Sequence, residues 1–81
     1  MDDANFLAMV REALATSPET VALWQTYSYD KRGSPSPYLD GVEVGFYDGG
    51  SRDVRRYDNE IDACADFIRS EALWVLERRT V

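Results

Sequence analysis

Val42-Glu43-Val44-Gly45-Phe46-Tyr47, the turn Asp48-Gly49-Gly50-Ser51, and Val54-Arg55-Arg56-Tyr57 decide the fold. Val42, Val44 and Phe46 alternate with Glu43, Gly45 and Tyr47, the period of a half-buried strand. Gly accepts positive φ without steric cost, so Gly49-Gly50 marks a reversal. Parity sets the register. An even loop would put Val54 on the wrong face, whereas three or five residues place it opposite Val44 or Phe46. With three, Glu43 faces Arg55 on the outer surface.

The hairpin runs into a helix. Asp58 and Asn59 offer N-cap oxygens. Ile61, Cys64, Ala65, Ile68, Ala72, Val75 and Leu76 then form one apolar stripe at 3.6 residues per turn. Arg78 and Arg79 fall at its end, where cations complement the dipole.

Upstream of the hairpin, residues 3 to about 15 read as a first helix. Asp2 and Asp3 suit its start, and Phe6, Met9, Val10, Ala13 and Leu14 make its apolar face. Thr16-Ser17-Pro18-Glu19 fits a capping box that would open another helix. Against it, Val21, Leu23, Tyr27 and Tyr29 alternate with Ala22, Thr26 and Ser28 in a run rich in aromatic and β-branched residues, which favours a strand over 21–29. On that reading Trp24 points away from Leu23, onto the outer sheet face with Tyr47. Asp30 to Asp40, with Ser34-Pro35-Ser36-Pro37 beside Lys31-Arg32-Gly33, reads as a loop. The expectation is a single α+β domain over residues 1–81 of order αβββα, with a three-stranded antiparallel sheet and two helices on one face.

Composition narrows the function. Eighty-one residues make one small domain, and 44% hydrophobic with 12% aromatic content can build one core. Fifteen acidic residues against nine basic give a charge of −6, which disfavours direct nucleic-acid binding and attracts basic partners. One Cys excludes an intramolecular disulfide. No apolar run nears a membrane span, and Met1-Asp2-Asp3 has the wrong charge for a signal peptide, so the expected compartment is the cytoplasm. The chain has no His, the commonest general base and metal ligand. Cys64 lies on the apolar stripe and reads as a core residue rather than a nucleophile. No phosphate loop or nucleophile elbow is present, and Asp48–Asp53 lacks the spacing of a calcium loop. No catalytic residue, cofactor or metal is expected, and a binding role is preferred to an enzyme.

The binding residues follow from two patterns. Asp58, Asp62 and Asp66 recur every four residues, Glu60 joins them, and no basic residue interrupts Tyr57 to Phe67. A solvated helix face is the ordinary reading. The functional one is an acidic strip for a basic partner, its carboxylates about 6 Å apart. Phe67 and Trp74 fall off the centre of the core stripe. They either tuck against the sheet edge or, with Trp24 and Tyr47, form an exposed aromatic patch.

Two runs carry a resemblance. Tyr27-Ser28-Tyr29-Asp30-Lys31-Arg32-Gly33, and Val54-Arg55-Arg56-Tyr57-Asp58-Asn59-Glu60 leading into Asp62-Ala63-Cys64-Ala65-Asp66-Phe67-Ile68, resemble a pattern in small bacterial immunity proteins encoded beside secreted toxins. The loop from Ser34 to Asp40 departs from it. Size, acidity and element order are also similar to those of phage anti-CRISPR proteins. Either resemblance implies an inhibitor that works by occluding a partner enzyme, with a basic or nucleic-acid-binding surface as its target. A homodimeric regulatory module, paired through Phe67 and Trp74, is the third expectation.

Overall fold

The computed structural model describes residues 3–31 and 35–79, and of residues 78 and 79 the backbone alone. Helices α1 (Asp3–Thr16) and α2 (Glu19–Asp30) precede strands β1 (Ser36–Asp40), β2 (Glu43–Tyr47) and β3 (Ser51–Arg56), and α3 (Glu60–Arg79) closes the order. The sheet is an antiparallel meander, β1-β2-β3. The fold is α+β, as expected, with three helices packed around a three-stranded sheet.

The strands come partly from a different stretch than expected. Residues 21–29 are helical, and the first strand lies in the Ser-Pro segment that reads as a loop. The capping-box position was the better guide, although the box itself does not form. The Thr16 hydroxyl donates back to Ala13 O at 2.8 Å, and α2 starts on backbone bonds from Thr20 to Ser17 and Val21 to Pro18. Val21, Trp24 and Ser28 turn inward at helical spacing, and Leu23, Tyr27 and Tyr29 stay exposed. Ser28 hides the helical period because it is polar. It is fully buried for another reason: its hydroxyl accepts the Leu39 N–H at 2.7 Å. Gln25 Oε1 accepts the Gly41 N–H at 2.9 Å. The open edge of β1 is thus covered by side chains of α2, which satisfies donors that an edge strand would otherwise leave bare. Pro37, which has no donor, is tolerated on this edge strand.

The β2–β3 loop has three residues, Asp48 to Gly50, because Tyr47 pairs with Ser51 and Phe46 with Arg52. A bulge then shifts the register. Val44 pairs with Arg55 and Glu43 with Arg56, so Asp53 and Val54 together oppose Gly45. Asp53 takes φ +53°, a conformation to which Asp is better suited than most residues. The extra residue reverses the expected parity. Arg55, not Val54, turns toward α3, and Val54 is left exposed. The outer pair is Glu43 with Arg56, at 2.9 Å, rather than Glu43 with Arg55.

The core lies where α3 crosses the sheet. Leu39 and Val44 meet Ala63, Cys64 and Phe67, and Leu14 and Val21 close the cluster from α1 and α2. α1 packs on α3 through Leu7, Val10 and Leu14, whereas Met9 of its expected apolar face is exposed. Tyr38 lies across Gly45 on the other sheet face and donates to Glu43 at 2.6 Å. A Cβ on Gly45 would stand 2.8 Å from that ring, so the residue must be Gly for the ring to lie flat. No helix among the described residues is long and apolar enough to cross a membrane.

Candidate protein-binding surface

Asp66 was expected on the exposed strip, yet it is 2% exposed and joins β3 to α3. The bulge delivers Arg55, whose Nε donates to Asp66 Oδ2 at 2.7 Å, and the strand end delivers Tyr57, whose hydroxyl donates to the same oxygen at 2.5 Å. One turn along α3, Arg69 Nη2 donates to Oδ1 at 2.7 Å. Burial alone would push the Asp66 carboxyl up. The bonds from Tyr57, Arg55 and Arg69 outweigh it and hold the group below its ordinary value. The Tyr57 hydroxyl is pushed up, by burial first and then by its bond to the carboxylate. A buried carboxylate with this many donors is a structural tie. It cannot also serve as a free charge for a partner.

The remaining expected residues separate in the same way. Asn59 caps α3: its Oδ1 accepts the Asp62 N–H at 2.8 Å, and its Nδ2 donates to the Asp62 carboxylate at 3.1 Å. Asp62 also stands 3.8 Å from Arg11 of α1. Asp58 and Glu60 are exposed at the start of α3. The acidic strip is therefore a cluster at one helix end, Asp58, Glu60 and half-buried Asp62, and it stops short of Asp66. Phe67 has no exposed surface and belongs to the core, which removes it from any interface, including the pairing expected with Trp74. Trp74 is half-buried, edge-on to Phe46 with centroids 5.2 Å apart. Tyr47 is half-buried on the outer sheet face, edge-on to Tyr38. Trp24 is on α2 rather than on the sheet, edge-on to Tyr27 and Phe67.

Trp24 marks a surface that strand reading concealed. α1 and α2 both pack on α3, and an open groove runs between them. Met9, Val10 and Ala13 form one wall, Thr20 and Trp24 the other, and Ile68 the floor, around about 520 Å³. Thr20 and Trp24 also border a second concavity with Leu23 and Tyr27. Leu23 is 67% exposed and Tyr27 45%. The lining is almost wholly apolar, whereas its far end is tied down by charge. Lys31 pairs with Glu71 across α2 and α3, and the Tyr27 hydroxyl donates to the same carboxylate at 3.1 Å. Burial, then the Glu71 charge, pushes the Tyr27 hydroxyl up. With 19–30 read as a helix, Thr20, Leu23 and Tyr27 fall at i, i+3 and i+7 on one face. That pattern was available in the sequence once the element type was known.

A further groove of about 660 Å³ lies between β2–β3 and the end of α3, walled by Phe46 and Trp74. Its arginines are engaged within the chain: Arg55 and Arg69 by Asp66, and Arg52 over the Phe46 ring at 4.9 Å and 3.8 Å from Asp48. Cys64 is buried, and its thiol is pushed up to about 11 by desolvation, so it is held as the neutral thiol. No group of three or more acidic or sulfur ligands that could hold a metal occurs among the described residues.

Comparison of the chain with protein-family models, with curated proteins and with solved structures matches none.

Proposed function

We propose that the protein is a stoichiometric, non-catalytic inhibitor that binds a partner protein through the α1–α2 groove. One observation carries the reading. Met9, Val10, Leu23, Trp24 and Tyr27 present a concave, apolar and aromatic surface to solvent on a chain of charge −6. Exposed concave surfaces rich in Trp and Tyr are where binding energy concentrates in protein interfaces. The Arg11–Asp62 pair joins α1 to the acidic start of α3, where Asp58 and Glu60 are free to steer a basic partner. The partner is a protein with an apolar projection flanked by basic residues. The surface around an enzyme's nucleic-acid groove supplies such basic residues.

The test is photocrosslinking from position 23 in the cell of origin, followed by affinity measurement on the protein captured. Leu23→Glu should weaken binding at least about tenfold, and Asp58→Lys with Glu60→Lys should slow association at low salt with little effect on dissociation. A partner bound equally well by Leu23→Glu would place the interface elsewhere. A partner that keeps full activity when saturated with this protein would end the inhibitor reading.

A further inference from the structure

α1 and α2 both pack on α3 and make little contact with each other beyond the corner at Ser17 and Pro18. The space between them is the apolar groove floored by Ile68. Two properties of its walls limit what can fill it. The first is a lack of polar partners. Both walls are helices, which use their backbone N–H and C=O groups internally. The Thr20 hydroxyl donates to Ser17 O at 2.7 Å, and the Tyr27 hydroxyl donates to Glu71. An extended segment laid in the groove would bury backbone groups with little to bond, at a cost for each. A helical segment satisfies its own backbone and presents side chains alone.

The second property is the charge of the lips. At helical periodicity Glu12 falls just outward of Met9 on α1, and Glu19 and Asp30 fall just outward of Leu23 on α2. All three are exposed, and among the described residues none of their carboxylates has a hydrogen-bond or ion-pair partner. The neighbouring cations turn elsewhere, Arg11 to Asp62 and Lys31 to Glu71.

We propose that the groove takes a basic amphipathic helix of the partner protein, with apolar side chains at i, i+3 or i+4, and i+7, flanked on both sides by Lys or Arg. This occupant presupposes the groove as the interface and adds its form and charge. The α2 wall, Thr20, Leu23 with Trp24, and Tyr27, repeats about once per helical turn, which matches the rise between successive apolar side chains of an incoming helix. Its flanking cations reach Glu12 on one lip and Glu19 and Asp30 on the other. A nucleic acid or an anionic membrane would be repelled by the same carboxylates.

The test is a display selection from a random library of peptides about 16 residues long, long enough for four helical turns, against the full chain. The peptides recovered should carry apolar anchors at helical spacing with Lys or Arg beside them, and should gain helicity on binding by circular dichroism. Leu23→Glu should bind them at least about tenfold more weakly. The triple variant Glu12→Gln, Glu19→Gln, Asp30→Asn should bind them about tenfold more weakly at low salt, and the difference should shrink at about 0.5 M salt. All the changes are at exposed positions, so both variants should keep the parent's circular dichroism spectrum. A selection that yields no peptide, or only peptides indifferent to Leu23→Glu, would overturn the proposal. So would groove-binding peptides that stay extended, or that the triple variant binds as tightly as the parent. That last pair of outcomes leaves the groove standing as the interface. Basic helices that bind the groove of a protein unable to inhibit its captured partner would instead support this occupant and end only the inhibitor reading.

Discussion

Asp66→Asn removes a charge and keeps the shape, so it measures the tie between β3 and α3. Asp66 is 2% exposed and accepts from Arg55, Tyr57 and Arg69. Deleting one partner of a fully buried ion pair costs about 3–5 kcal/mol. Here the arginines are partly solvated, with side-chain exposures of 39% for Arg55 and 26% for Arg69, so water recovers some of their charge. The expected cost is therefore lower, about 2–3 kcal/mol. In a domain of this size that is a fall in Tm of roughly 10–20 °C. Urea unfolding at pH 7 gives the direct number. A pH series adds a signature that simple loss of packing would not give. The folded-state pKa of Asp66 lies below its unfolded value. Its stabilisation is thus present above the unfolded pKa, near 4, and is lost as pH falls through the folded one. Parent and Asp66→Asn should differ fully at pH 7 and converge in strong acid. An Asp66→Asn protein within about 0.5 kcal/mol of the parent at pH 7 would refute the reasoning. So would a difference between the two that stays constant down to pH 2. Reversing Asp62 and Asp66 together to Lys should unfold the protein rather than leave it intact, although the acidic-strip reading implies the opposite.

Gly45→Ala should cost about 1–3 kcal/mol in thermal unfolding, because the new methyl meets Tyr38 at 2.8 Å and the Arg52 carbonyl at 3.0 Å. Ser28→Ala strands the Leu39 amide against α2, and a loss of about 1–3 kcal/mol with faster exchange of that amide is the expected result. Cys64 should react with a thiol reagent at pH 8 only as fast as the domain opens, since its thiol is buried and its pKa is about 11. Cys64→Ala should fold with a modest loss of about 1 kcal/mol.

Much of the candidate site was present in the sequence but assigned to the wrong face. Phe67 and Asp66 appear off the centre of the α3 stripe, and a lone helix would expose both. They are buried because the sheet, α2 and Arg55 wrap further round the helix than the apolar stripe extends. Conversely, Leu76 lies on the stripe yet is exposed. Trp24, expected on the outer face of a strand, lies on a helix and is half-buried against the core.

Whereas the three-residue loop and the choice of Asn59 emerge from the structure, local chemistry in the sequence determined the hairpin, the place of its turn, a cap at Asp58 or Asn59, the start and period of α3, and the burial of Cys64. Each depends on residues close along the chain: glycines for the turn, an Asx oxygen for the cap, and apolar spacing for the helix. Tertiary structure decided most of the rest, although the Thr16–Glu19 run already offered a helix start near the beginning of α2. Residues 19–30 are helical because Ser28 and Gln25 meet the edge of β1 from that conformation, and a Pro-containing segment becomes a strand because that edge is thereby covered. The bulge at Asp53 and Val54 is kept because one extra residue carries Arg55 to Asp66. Propensity differences are tenths of a kcal/mol per residue, and an unmade buried hydrogen bond costs more, so the partner across the fold prevails over the local pattern.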